Sequence, residues 1–256
     1  MRYPYARTSA IHLSTRRPTG RMRSTLRNAF SESLDSFLNH LESTDDPKRL
    51  VVFGAGYVGL IQAVGLQLMG HQVTVIEIDE NRLESVKCGE MPFFEPGMDE
   101  ALEKALGVGM RVERSLEETD VDCVFICVNT PTSADGRQDT RAIMSVVDSL
   151  PETLSCPVVT KSTALPGTAK RITARLFERG IVVPVVSNPE FLQEGSALFD
   201  FLAPDRVVIG SDQGIDKDLF NAIYSFTDRI FYLNVAEAEL SKYAANLMLV
   251  TKISYA

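Results

Sequence analysis

The stretch Leu50-Val51-Val52-Phe53-Gly54-Ala55-Gly56-Tyr57-Val58-Gly59 decides how the rest of the chain is read. Four apolar residues suit a short buried strand, and the run from Tyr57 to Met69, closed by Gly70, suits a helix. A Gly-x-Gly-x-x-Gly spacing is a weak signal alone, but between a strand and a helix it has the setting that dinucleotide binding requires. Gly54 permits the tight turn, Gly56 lets the backbone approach a pyrophosphate, and Gly59 lets helix and strand pack closely. The amino end of the helix then offers free N–H groups and a partial positive charge to the anion. With Tyr57 and Val58 between the glycines, the whole turn is expected to contact the cofactor.

Such a turn needs an acid about 20 residues on, at the end of the next strand. Gln72 to Ile78 is a second β-branched run, and Glu77 stands in it, with Asp79 two residues later and assigned to the same strand face. A carboxylate there accepts hydrogen bonds from ribose hydroxyls and repels a 2′-phosphate, which favours NAD over NADP. Arg82 tempers that preference, because it suits either a phosphate or the face of an adenine.

Beyond this point strands and helices alternate. Helical stretches are expected from about Asp79, over Pro96 to Leu106, and near residues 141–150, 168–179 and 215–226. Strands are expected at Val121 to Val128, Val158 to Thr160, Ile181 to Val186, Arg206 to Ile209 and Ile230 to Leu233. The pattern predicts an α/β, Rossmann-type doubly wound, mainly parallel sheet over residues 49–233. From residue 234 a helix-forming run without glycine or proline continues to the end, with Asn234 and Glu237 suited to cap its start. It reads as the start of a long central helix cut short.

The 256 residues are 45% hydrophobic and 23% charged, as expected of a globular protein, and no apolar run is long enough to span a membrane. The net charge of −8 argues against a general nucleic-acid binder. That charge is unevenly spread. Residues 1–31 hold seven arginines and no acid, leaving 19 basic against 34 acidic residues elsewhere. Such a start suits a transit peptide, a disordered arm, or an upstream extension with Met22 as the true start. Residues 1–48 are accordingly expected to be a basic extension, disordered or partly helical, with Leu34, Phe37, Leu38 and Leu41 at helical spacing. The four cysteines show no metal or redox spacing, so no metal is expected and the location is expected to be reducing and cytoplasmic.

Two further clusters carry chemistry. Glu190 and Glu194 are four apart, one helical turn, around Phe191 and Leu192. Two carboxylates near one partly desolvated site suit acid/base roles, and a solvated loop explains them equally well. Lys242 and Asn246 are one turn apart on the last helix. A lysine facing a cleft can stabilise an oxyanion, or simply snorkel from a buried helix.

From about Arg49 onward the chain resembles the UDP-glucose/GDP-mannose dehydrogenase family through seven motifs in the family's order. These are Gly-Ala-Gly-Tyr-Val-Gly (54–59), Glu-Pro-Gly-Met (95–98), Val-Asn-Thr-Pro-Thr (128–132), Lys-Ser-Thr-Ala-Leu-Pro-Gly-Thr (161–168), Asn-Pro-Glu-Phe-Leu-Gln-Glu-Gly (188–195), Pro-Asp-Arg-Val-Val-Ile-Gly (204–210) and Ala-Glu-Ala-Glu-Leu-Ser-Lys-Tyr-Ala-Ala-Asn (236–246). The resemblance implies oxidation of a nucleotide sugar from the C6 alcohol to the carboxylate with two NAD. UDP-glucose is the first expectation; GDP-mannose and UDP-N-acetylhexosamine are alternatives. It implies that Val128, Thr130, Pro131, Ser162 and Thr163 border the nicotinamide, with Glu194 nearby. Thr163, Glu190, Glu194, Lys242 and Asn246 take the catalytic positions, Glu190 as a general base in the later hydrolysis. Glu190, Phe191, Leu192, Lys242 and Asn246 would face the substrate. A homodimer built on the long helix is expected of a full-length member.

The chain departs from the family in one respect. The family's thioester-forming cysteine lies in a Gly-Gly-x-Cys-Phe-x-Lys-Asp segment, and nothing here matches it. The chain is therefore expected to bind NAD with little or no turnover alone, as a fragment or a truncated reading frame. A non-catalytic NAD-binding remnant is the alternative from another class. A β-hydroxyacid dehydrogenase fits the 188–195 segment poorly.

Overall fold

In the computed structural model, which describes residues 20–117, 120–132 and 138–255, the opening apolar run is β1 (Arg49–Phe53) and the helix after the glycine turn is α3 (Tyr57–Leu68). Two helices precede them, α1 (Gly20–Glu32) and α2 (Leu34–Leu38). The order continues β2 (Gln72–Ile76), α4 (Glu80–Lys87), α5 (Met98–Gly107), β3 (Arg111–Glu113), β4 (Cys123–Ile126), α6 (Arg141–Ser149), β5 (Val158–Thr160) and α7 (Thr168–Glu178). It ends with β6 (Val185–Ser187), α8 (Ala197–Leu202), β7 (Val207–Gly210), α9 (Lys217–Ile223), β8 (Ile230–Leu233) and α10 (Val235–Tyr255). Arg2, Arg7, Arg16 and Arg17 of the basic start lie outside the described residues.

The strands form one sheet in the order β3-β2-β1-β4-β5-β6-β7-β8. Every pairing is parallel except β6 with β7. This is the doubly wound order, with its switch point between β1 and β4, where ligands bind at the strands' carboxyl ends. Apolar runs make these strands because both faces are covered. Leu50, Val52, Cys123 and Phe125 enter the core shared with α3, α5 and α8, while Val51, Phe53, Val124 and Ile126 face α6 and α7.

Several boundaries differ from expectation for local reasons. Helix α5 begins at Met98, because Glu95-Pro96-Gly97-Met98 is a turn with Gly97 at φ 78° and a Met98 N–H to Glu95 carbonyl bond of 3.1 Å. Strand β6 begins at Val185, since Pro184 supplies only a carbonyl, to Val158 N–H. Asp79 is not on the β2 face. It caps α4, its carboxylate accepting from Arg82 N–H at 2.9 Å. Asn234 and Glu237 do close the start of α10 reciprocally, at 2.9 and 3.2 Å.

Helices α1 and α2 are packed. Phe37 is fully buried, and Phe30, Phe37 and Phe199 of α8 form a ring cluster with centroids 5.2–5.8 Å apart. No helix among the described residues is long and apolar enough to cross a membrane.

Candidate functional site

At the end of β1 the chain turns at Gly54 with φ 101°, a conformation that disfavours side chains. A Cβ on Gly59 would lie 1.8 Å from the Gly54 carbonyl oxygen, so helix and turn approach as closely as atoms allow. Gly56 is the N-cap of α3 and makes no side-chain cap bond; a Cβ there would meet only Asn129 Oδ1, at 3.7 Å. The cradle therefore has an open floor and leads into a helix start without a side-chain cap, as a pyrophosphate site requires. Val58 is half-buried against the core.

Three buried glutamates hold the loops at this edge. Glu77 accepts from Ala55 N–H and Asp79 N–H, each at 2.9 Å, and from Arg82 Nη1 at 3.5 Å. Its carboxylate fixes the glycine turn and retains acceptor capacity for ribose hydroxyls. Glu95 accepts from Gly195 N–H and Ala197 N–H at 2.9 and 2.8 Å and from the Tyr57 hydroxyl at 2.6 Å. Burial, then that bond to Glu95, drives the Tyr57 phenol pKa up. Glu239 of α10 accepts from Gly167 N–H and Ala169 N–H at 2.6 and 2.9 Å.

The loops after β4 and β5 are stitched together. Ser162 Oγ donates to the Val128 carbonyl at 2.7 Å, and Thr130 Oγ1 to the Thr163 carbonyl at 2.6 Å. Gln138 donates to both Thr130 Oγ1 and the Thr163 carbonyl, and accepts from Leu165 N–H at 2.8 Å. The Thr130 hydroxyl is thus engaged within the protein. Pro131 continues the same loop, its carbonyl accepting from Asp139 N–H at 2.8 Å.

Beyond β6 lies a cleft of about 350 Å³ bounded by the 188–193 loop and α10, with Lys242 and Asn246 on its wall. Lys242 Nζ donates to Glu190 Oε1 at 2.6 Å, and Leu192 N–H donates to Glu190 Oε2 at 2.8 Å. Arg206 lies 3.9 Å over the Phe191 ring and Leu192 packs on the core. Beneath them Lys161 is buried, donating to Asn188 Oδ1 at 3.1 Å, which also accepts from Tyr224 at 2.5 Å. Burial lowers the Lys161 pKa to about 8, opposed by the neighbouring Cys127 and Glu190 and reinforced by Lys242.

Glu190 and Glu194 do not share a helical turn. Residues 188–193 are irregular, and Glu194 sits exposed in the turn before α8, on the side of Tyr57 and Glu95. The expectation of two carboxylates around one desolvated site fails because Glu95 captures the N–H groups of Gly195 and Ala197 and pulls the chain away from a helix at 190–194. Sequence reasoning overlooked Glu95, Glu239, Lys161 and Gln138. The first three stood in quoted motifs as charges next to apolar or glycine-containing runs, which was the available signal.

The sheet order, the glycine cradle and the acid after β2 define an NAD-binding domain of the dehydrogenase type. Residues 48–228 match the UDP-glucose/GDP-mannose dehydrogenase family, NAD binding domain, and the chain belongs to that family. It is 41% identical over 223 residues to a UDP-glucose 6-dehydrogenase of Pseudomonas aeruginosa, covering 81% of this chain and 49% of that protein. It is 39% identical over 217 residues to the putative UDP-glucose 6-dehydrogenase YtcA of Bacillus subtilis, covering 81% and 50%. The chain thus spans about half the length of the curated relatives it matches. Among solved structures, a UDP-glucose dehydrogenase from Pyrobaculum islandicum superposes with a TM-score of 0.75 at 34% identity, over 82% of this chain and 51% of that one. A GDP-mannose dehydrogenase from Pseudomonas aeruginosa does so at 0.73 and 31%, over 81% and 51%.

Proposed function

We propose that the chain is the NAD-binding half, together with one wall of the sugar site, of a nucleotide-sugar 6-dehydrogenase acting on UDP-glucose. The observation that carries this reading is the largely buried Lys242–Glu190 pair, its side chains 12% and 11% exposed, on the wall of a cleft reached from the same sheet edge as the glycine cradle. UDP-glucose is preferred to GDP-mannose because relatives at 39–41% identity bear that name.

In this reading Gly54 to Gly59 hold the pyrophosphate, Glu77 and Arg82 the adenosine ribose, and Val128, Thr130, Pro131, Ser162, Thr163 and Glu194 the nicotinamide end. When bound, NAD supplies the two-electron acceptor. Lys242 is placed to stabilise a developing oxyanion with its ammonium, and Asn246 to orient the sugar or a water. Glu190 holds Lys242 until substrate competes for it, and then stands free to take a proton from water. Phe191 and Leu192 exclude solvent from the cleft floor. The exposed Leu247, Val250 and Ile253 of α10 suit a subunit interface, in line with a homodimer.

None of the four cysteines lines the cleft. Burial pushes the Cys127 and Cys156 thiols up to about 12 and raises Cys123 as well, while Cys88 caps α4 at the surface. The covalent second oxidation implied for the family has no nucleophile here, so the chain alone binds NAD with little or no turnover. Calorimetry with NADH and an assay with UDP-glucose test this together. Micromolar NADH binding without UDP-glucuronate formation is expected; turnover at an ordinary enzyme rate, or no NADH binding by the folded chain, defeats the reading.

A further inference from the structure

Glu239 is a buried acid on the helix that carries Lys242, and it caps a helix some 70 residues away. The first turn of α7 has no side-chain cap of its own, since Gly167 at φ 99° takes the N-cap position. Burying a carboxylate is costly unless it is hydrogen-bonded, and here two charge-assisted N–H bonds and the positive end of α7 offset the cost. A nearby Ser, Thr or Asp would cap α7 equally well. A cap from α10 does something a local one cannot: it ties the loop leading into α7 to the helix that bears Lys242.

That loop is Ser162 to Pro166. Its first residues are fixed from the other side by Ser162 to the Val128 carbonyl and by Thr130 to the Thr163 carbonyl. A small hollow with room for about one water lies among Ser162, Thr163, Glu239 and Lys242. Loop and helix therefore face each other across this small gap, and the bonds from Gly167 N–H and Ala169 N–H to Glu239 anchor the far end of the loop to α10.

We infer that Glu239 is a positioning residue that fixes the Ser162–Thr163 loop against Lys242, and so governs binding of the nicotinamide end of NAD while leaving the adenine end untouched. This rests on the reading of that loop as the nicotinamide border given above.

The test compares NADH with ADP-ribose, which lacks the nicotinamide, by calorimetry on the 256-residue chain. Glu239→Gln keeps the shape but replaces one acceptor oxygen with a donor amide facing an N–H. It is expected to weaken NADH about tenfold and to leave ADP-ribose within about twofold. Equal weakening of both ligands, or of neither, overturns the proposal. If Glu239→Gln proves unfolded by circular dichroism, Glu239→Asp is judged by the same criterion, its shorter carboxylate reaching only one of the two N–H groups. Thr163→Val examines the underlying reading separately. A loss confined to NADH supports the loop as the nicotinamide border, and an unselective result removes that reading. Selectivity in Thr163→Val without selectivity in Glu239→Gln rejects the role of Glu239 alone.

Discussion

Lys242 Nζ lies 2.6 Å from Glu190 Oε1, with the two side chains 12% and 11% exposed. A pair this withdrawn from water gains little in total but is costly to break, because the survivor is left as an uncompensated charge. Lys242→Met is expected to reduce unfolding free energy by about 3 kcal/mol, with a similar loss for Glu190→Gln. The double variant should recover most of either loss. Urea denaturation of the four proteins closes the cycle, and strictly additive losses would show the pair to be uncoupled.

The two glycines of the cradle separate stability from binding. Gly59→Ala places a methyl against the Gly54 carbonyl and is expected to cost about 3 kcal/mol or more, with loss of NADH binding. Gly56→Ala meets only Asn129 Oδ1 at ordinary contact distance, so its melting temperature should stay near wild type. Its affinity for NADH should nevertheless drop about tenfold, because the methyl stands in the path proposed for the pyrophosphate. Differential scanning fluorimetry with and without NADH reads both.

Lys161 should make stability rise with pH above neutrality. Its pKa in the folded protein is lowered from 10.5 to about 8, chiefly by burial, so between these values the unfolded chain binds more protons than the folded one. Stability therefore increases from about pH 8 toward 10.5, by up to roughly 3 kcal/mol. Lys161→Met lacks this gain. Urea midpoints of both proteins at pH 7.5, 9 and 10 give the comparison, and parallel curves would refute it.

The helices ahead of the family-matched region should matter to the fold. Phe37 is fully buried, meets Phe30 edge to face and packs at a tilt on Phe199 of α8, while Lys104 pairs with Asp35. Phe37→Ala is expected to cost about 4 kcal/mol, a fall of roughly 10 °C in melting temperature. An unchanged melting curve would mean that α1 and α2 are not packed in solution.

The central strands and flanking helices could be read from sequence because their residues are buried on both faces or on one regular stripe. β3 could not, since Val112 alone of its three residues is buried. α8 could not either, because all six of its residues are buried and no amphipathic period results. In the site, Lys242 and Asn246 were legible through helical spacing. The same spacing misled for Glu190 and Glu194, where a carboxylate 100 residues away, Glu95, decides the backbone path. Bonds from a side chain to a distant main chain leave no periodic trace, which also hid Glu239 and Gln138.

Those bonds carry one more consequence. Glu77, Glu95 and Glu239 recognise N–H groups of Ala55, Asp79, Gly195, Ala197, Gly167 and Ala169, and an N–H is what every residue but proline brings. This edge of the sheet is thus secured without reading the side chains of the segments it secures. Those main-chain bonds do not depend on which side chains the segments carry, although the left-handed backbone at Gly167 and Gly195 and the burial of Ala55, Ala169 and Ala197 limit what can stand there, and proline would remove the bond at any of the six positions.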